Sequence, residues 1–259
     1  MQKRPDGFHD IATVFYPVPL KDALEIVPPE NIQQLTIHNY GLPVNGEPAD
    51  NLCVKAWHLL KKDFPDLPFV QIHLLKTIPM GAGLGGGSSD GAFMLKLLND
   101  KFHLGLTEQQ LLYYALQLGS DCPFFVVNKP CYATGRGELM ETIDLDLSGY
   151  QLVLVNPGIH VHTGRAFTRL DMNNTSTKTS TVKETVMQPV TTWKQQLFNE
   201  FESPVFEQYP EISSVKENLY SFGAVYASMT GSGSVVFGLF NAAINLTSGL
   251  PAHYTVIQL

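Results

Sequence analysis

Hydrophobic residues recur along this chain with two different spacings, and the spacings divide it into helices and strands. In NLCVKAWHLLKKDF (51–64), Leu52, Val54, Trp57 and Leu60 fall on one helical face, with Asp50 or Asn51 placed to cap it. An apolar, β-rich run from Phe69 to Ile78 predicts a strand. Ala92, Phe93, Leu95, Leu97 and Leu98 then predict a helix over 88–99. TEQQLLYYALQLGSD, beginning at Thr107, predicts another helix, with Thr107 and Gln110 as a capping box and Gly119 as a C′ stop. Further strands are expected at 11–17, 23–27, 33–38, 123–127 and 131–134. The turn TGRGE (134–138) leads from the last of these to Leu139 and Glu141. Strands at 150–155, 224–229, 235–240 and near 253–258 complete the set. Helical runs at 191–206 and 211–221 are separated by Pro210, and the polar, Thr-rich stretch 171–190 predicts a long surface loop. A change of composition near 148 divides the chain into domains over 1–147 and 148–259, with no internal repeat.

Composition narrows the function. A chain of 259 residues, 44% hydrophobic and 16% charged, can bury a substantial core. A formal charge of −7 argues against a general binder of polyanions, so no nucleic-acid partner is expected. No apolar run approaches the roughly 18 residues of a membrane helix, so no membrane partner is expected. The start carries Lys3, Arg4, Asp6 and Asp10 without an apolar core segment, so no signal peptide is expected. Cys53, Cys122 and Cys131 show no CxxC spacing, which points to reduced thiols and a cytoplasmic location.

Residues 79–90, PMGAGLGGGSSD, carry the strongest chemical signal. They stand between a strand and a helix start. Gly81, Gly83, Gly85, Gly86 and Gly87 let the backbone take positive φ and approach a ligand. The amides opening the next helix carry partial positive charge and suit a phosphate. Ser88 and Ser89 add hydroxyls for the helix cap, a phosphate or its metal. Gly81, Gly83 and Gly86 also satisfy G-x-G-x-x-G, but helix, loop and a second helix follow where a dinucleotide fold needs a strand ending in an acid. A Walker A loop needs Lys where Gly87 stands. Asp90 suits either helix-dipole stabilisation or a cation at the phosphate site. Asp121, in GSDCPFF, is either a turn or cap residue or a site carboxylate. His160 and His162 share one face of an extended segment and could begin a zinc site, although no third ligand lies nearby. RPDGFH (4–9) reads as a turn running into a strand, and TGSGS (230–234) as a hairpin turn or a second anion-binding loop.

Together these segments resemble the GHMP kinases, the superfamily of galactokinase, homoserine kinase and mevalonate kinase. PMGAGLGGGSSD is similar to its phosphate loop, and MTGSGSVVF (229–237) to its C-terminal glycine motif. RPDGFH, GSDCPFF, ATGRGE and VNPG resemble the branch that acts on a cytidyl-linked methylerythritol in non-mevalonate isoprenoid synthesis. The resemblance implies an α+β, two-domain fold with the active site in the cleft between domains. It also implies ATP and Mg²⁺ as cofactors and a small-molecule substrate bearing a cytidine diphosphate group. Pro79, Gly81, Gly83, Leu84, Gly85, Gly86, Gly87, Ser88 and Ser89 would then cradle the ATP phosphates. Asp121 would be the catalytic carboxylate that takes the acceptor's proton. On the substrate side, His9 would bond the cytosine ring, and Phe8 and Phe167 would sandwich it. Thr163 would lie near the reacting centre, and Gly231, Ser232, Gly233 and Ser234 would close the site. No residue is assigned to Mg²⁺, and no motif indicates an oligomeric state.

That family opens with a strand of the form Pro-x-Ala-Lys-x-Asn-Leu ahead of the RPDG turn. This sequence begins later, which leads to an expectation of weak or absent turnover with nucleotide binding retained. Two other functions stay open at this level: a different small-molecule kinase of the superfamily, and a nucleotide-binding protein without catalysis.

Overall fold

The computed structural model describes residues 2–4, 9–29, 34–170, 181–244, 246 and 249–259. The first half contains β1 (Gln2–Lys3), β2 (His9–Asp10), β3 (Thr13–Phe15), β4 (Ala23–Val27) and β5 (Thr36–Gly41). These are followed by α1 (Leu52–Asp63), β6 (Gln71–Lys76), α2 (Gly86–Phe102), α3 (Glu108–Leu118), α4 (Cys122–Val127), β7 (Cys131–Thr134) and β8 (Leu139–Thr142). β4, β6 and β5 form one sheet in that order; β6 runs antiparallel to β4 and parallel to β5. The parallel pair needs a crossover, and α1 supplies it. β3, β7 and β8 form a second, antiparallel sheet.

Local chemistry sets these boundaries. The Asn51 side chain accepts from the Cys53 amide and opens α1. Thr107 and Gln110 form the expected capping box at α3. β6 alternates with period two: Ile72, Leu74 and Lys76 point inward, while Leu75 faces solvent. Its inner face meets the core formed by Trp57 and Leu60 of α1 with Ala92, Met94, Leu95 and Leu98 of α2. At Gly91 a Cβ would lie 2.8 Å from the Leu52 Cβ, so the missing side chain lets α1 and α2 approach.

The second half contains β9 (Gln151–Asn156), α5 (Thr163–Thr168), α6 (Val182–Val186), α7 (Val190–Gln196) and α8 (Glu202–Gln208). It ends with α9 (Pro210–Ser221), β10 (Tyr226–Met229), β11 (Val236–Phe240) and β12 (Thr255–Gln258). The strands make one antiparallel sheet in the order β10-β11-β9-β12. Ile212, Val215 and Leu219 of α9 share its core with Val153, Val155, Ala227 and Val236.

Four expectations change. Residues 123–127 are helical within α4, not a strand: Pro123 starts the turn, and the apolar side chains pack against α2 and α3. The run at 191–206 is two helices, because Leu197 is extended and Asn199 accepts from the Phe201 amide. The loop expected over 171–190 is replaced at 181–190 by α6 and the start of α7. Thr181 and Glu184 cap α6, and Val186 and Val190 are buried; residues 171–180 lie outside the described ones. Gly119 ends α3 in extended rather than left-handed backbone, with φ 170°.

The cysteines are free and buried, and no helix among the described residues is long and apolar enough to cross a membrane. Leu95 is fully buried between the helices and the β6 sheet. Leu95→Ala is expected to destabilise the protein by about 2–5 kcal/mol in denaturant unfolding.

Candidate active site

The chain leaves β6 through Thr77 and Ile78, turns over 79–85 and enters α2 at Gly86. Gly81, Gly83 and Gly85 all have positive φ: 66°, 77° and 68°. The first helical bond runs from the Ser89 amide to the Gly85 carbonyl. The amides of Gly86, Gly87 and Ser88 therefore have no acceptor inside the helix. Nothing among the described residues lies within 4 Å of a Cβ built on Gly87, so this side of the turn is open to a ligand. On the other side the turn is packed: a Cβ on Gly86 would lie 2.8 Å from Ile78 Cγ2 and 3.3 Å from Lys76 Nζ.

A buried ionic group lies beneath the loop. Lys76, 1% exposed, bonds Asp22 and lies 2.7 Å from Asp90 Oδ2. Asp22 also accepts from the amides of Thr77 (2.6 Å) and Ile78 (2.9 Å). Desolvation opposes ionisation of Asp22, but the Lys76 bond and the two amides together hold its pKa below the ordinary value. Burial pushes the Asp90 carboxyl up to about 7. Asp90 thus pairs with a lysine that the sequence reading missed. The available clue was register: Lys76 occupies an inward position of β6, where a lone cation needs partners.

The second glycine motif docks directly on the first. Thr230 Oγ1 donates to the Gly83 carbonyl at 2.9 Å, and the Val235 amide donates to the Ala82 carbonyl at 3.2 Å. A Cβ on Gly83 would stand 2.2 Å from the Thr230 carbonyl oxygen, so only glycine fits. Asn199 holds the TGSGS turn from behind, donating to the carbonyls of Met229 (2.8 Å) and Gly231 (2.7 Å). Sequence reading passed over Asn199, since only the tertiary fold brings it to this turn. Thr163 Oγ1 lies 2.9 Å from Ser232 Oγ, so Thr163, Gly231, Ser232 and Gly233 gather beside the phosphate loop. Ser234 Oγ donates to the Ile159 carbonyl. His160 is exposed and abuts Gly81, where an added Cβ would lie 2.6 Å from its Nδ1. Its ring and that of His162 are 6.2 Å apart, and no group of three or more His, Cys, Asp or Glu among the described residues could hold a metal.

Asp121 stands at the N-terminus of α4, reachable by solvent and without a hydrogen bond or ion pair among the described residues. Surrounding protein raises its pKa by desolvation. One contact links α4 to the loop: Phe125 fills the space where a Gly85 side chain would be, 2.8 Å from its ideal Cβ. Farther along, His9 and Phe167 stack with ring centroids 4.9 Å apart, and Phe201 meets Phe167 edge-on. Phe8 lies outside the described residues. Thr163 and Phe167 are four residues apart in α5 and share a face, which joins the stacked pair to the glycine loops.

The Gly83 contact yields a direct expectation. Gly83→Ala puts a methyl onto the Thr230 carbonyl at positive φ. It should separate the two loops and lower the melting temperature in thermal unfolding.

Comparison with known proteins agrees with this geometry. The GHMP kinases N terminal domain family matches residues 51–129, and the GHMP kinases C terminal family matches residues 189–256. A 4-diphosphocytidyl-2-C-methyl-D-erythritol kinase of Bacteroides fragilis is 51% identical over 247 residues, covering 95% of this chain and 89% of the relative. One from Parabacteroides distasonis is 46% identical over 240 residues, covering 93% and 86%. Among solved structures, a 4-(cytidine 5'-diphospho)-2C-methyl-D-erythritol kinase superposes with a TM-score of 0.75 at 29% identity, covering 92% of this chain and 83% of that one. A homoserine kinase of Cytophaga hutchinsonii shares the fold, with a TM-score of 0.67 at 14% identity over 90% and 85%. The chain therefore belongs to the GHMP kinases, within the 4-diphosphocytidyl-2-C-methyl-D-erythritol kinase family.

Proposed function

We propose that this chain transfers the γ-phosphate of ATP to the 2-hydroxyl of 4-diphosphocytidyl-2-C-methyl-D-erythritol, a step of non-mevalonate isoprenoid synthesis in the cytoplasm. Its two domains run over 1–147 and 148–259. One observation carries the reading: Asp121, a carboxylate without a partner among the described residues, stands at the start of the short helix that packs against the open phosphate loop.

Phosphoryl transfer has a loose transition state, so positioning and neutralisation of charge do most of the work. The amides of Gly86, Gly87 and Ser88 receive the nucleotide's phosphates, helped by the positive end of α2. Pro79, Gly81, Gly83, Leu84 and Gly85 set the bend that presents them, and Ser89 completes the first turn. Asp121 orients the acceptor hydroxyl and takes its proton; its raised pKa makes it a better base than an exposed carboxylate. Thr163 and Ser232 line the acceptor side, closed by Gly231 and Gly233.

Cytosine binds at the end marked by His9 and Phe167, with Phe8 as the second aromatic. A stacked base there is worth about 1–3 kcal/mol. Because Phe167 already stacks on His9, the base adds to or displaces that contact. This remote contact supplies binding energy for aligning the acceptor. Mg²⁺ fits this site as well: Asp121 has no partner among the described residues, and Ser88 and Ser89 offer hydroxyls, matching an ion held by few protein ligands and by substrate phosphates. When bound, it would neutralise charge on the β,γ-phosphates.

Mass spectrometry of products from ATP and the cytidyl substrate tests the reading. A product heavier by one phosphoryl group is expected, and a substrate panel lacking the cytidine group should react poorly. Asp121→Asn should lower kcat by at least about 10²-fold with little change in ADP affinity. Activity needs Asp121 ionised, so it should be lost as pH falls, with the acid limb of kcat above the ordinary carboxylate range. An acid limb that stays unchanged in Asp121→Glu and Asp121→Asn would assign it to another group.

A further inference from the structure

We propose that Lys76 is a positioning residue: through Asp22 and Asp90 it holds the first turn of α2 in the orientation that receives the nucleotide's phosphates. This inference rests on the kinase reading above and concerns the same loop.

Three segments meet at the Lys76 ammonium. Asp22 comes from the connection before β4, Lys76 ends β6, and Asp90 lies in the second turn of α2. Asp22 receives the Lys76 ammonium on one oxygen and the amides of Thr77 and Ile78 on the other. It therefore fixes the direction in which the chain leaves the strand for the glycine bend. Asp90 follows Gly86 by four residues, so the two share one face of the helix. Lys76 Nζ lies on that face, 3.3 Å from a Cβ built on Gly86. Gly87 looks the other way, into open space. The ionic group thus grips the underside of the turn and leaves the ligand side free.

Stability alone explains this arrangement poorly. Charged groups with side chains only 1%, 5% and 8% exposed have been taken out of water, and an apolar cluster of the same volume often holds a fold as well or better. What the apolar cluster lacks is direction, which three charged groups at hydrogen-bonding distance supply. The ammonium serves a second purpose. Without it, two carboxylates would lie beneath a site built for a polyanion, and they would repel both each other and the ligand.

The test removes the charges while relieving the burial. In Lys76→Met/Asp90→Ala, Asp22 keeps its two backbone bonds and no unpaired cation remains. The expected result is a folded protein whose ADP affinity by calorimetry, and whose KM for ATP, worsen by at least about tenfold, while KM for the cytidyl substrate stays within about threefold. A folded double variant with ADP affinity within about twofold of wild type, or with both KM values rising together, would reduce Lys76 to a brace and overturn the inference. If the double variant does not fold, Asp22→Asn carries the test. It should weaken ADP by at least about threefold with the cytidyl KM unchanged, and unchanged ADP affinity would overturn the inference. Wild-type protein that neither binds ADP nor phosphorylates the cytidyl substrate would overturn the kinase reading itself. Normal wild-type behaviour with an indifferent variant would sink only the role of Lys76.

Discussion

At Gly83 the backbone of one glycine loop lies against the backbone of the other, so closely that a single methyl would strike the Thr230 carbonyl. The rest of the site depends on this contact. It brings the turn between β10 and β11 to the entrance of α2 and lets Thr230 and Val235 bond the loop carbonyls. From there, Ser232 reaches Thr163, and α5 carries the line on to Phe167 and His9. A side chain at Gly83 would separate groups that lie 147 residues apart in sequence yet share one hydrogen bond.

The anion site also has to work against the protein's own charge. With a net charge of −7, the long-range field does not favour a nucleotide. Attraction must come from a few amides at a helix end and from neutralising the acids close by. Asp90 and Asp22 are paired inward on Lys76, whereas Asp121 has no partner among the described residues. The local arrangement thus separates two carboxylates neutralised inward from one that solvent can reach.

Much of this was legible in the sequence, for physical reasons. The glycine loop, the TGSGS turn and the caps at Asn51 and Thr107 depend on local backbone and side-chain chemistry, which reads directly from neighbours. The two-domain α+β architecture came through resemblance rather than periodicity. What could not be read was set by tertiary contact. CPFFVV has β-forming side chains, but burial against α2 and α3 makes it helical. Asn199 looks like any loop asparagine until the chain folds it behind Gly231. Lys76 reads as a surface lysine at a strand end, because its partner Asp22 lies 54 residues earlier.

The six residues of α4 have a mechanical consequence. Asp121 immediately precedes the helix, and Phe125, one turn on, packs against Gly85. In the proposed reaction, Asp121 and the glycine loop therefore belong to one packed unit of the first half. A substitution at Phe125 would disturb the glycine bend and the Asp121 position together.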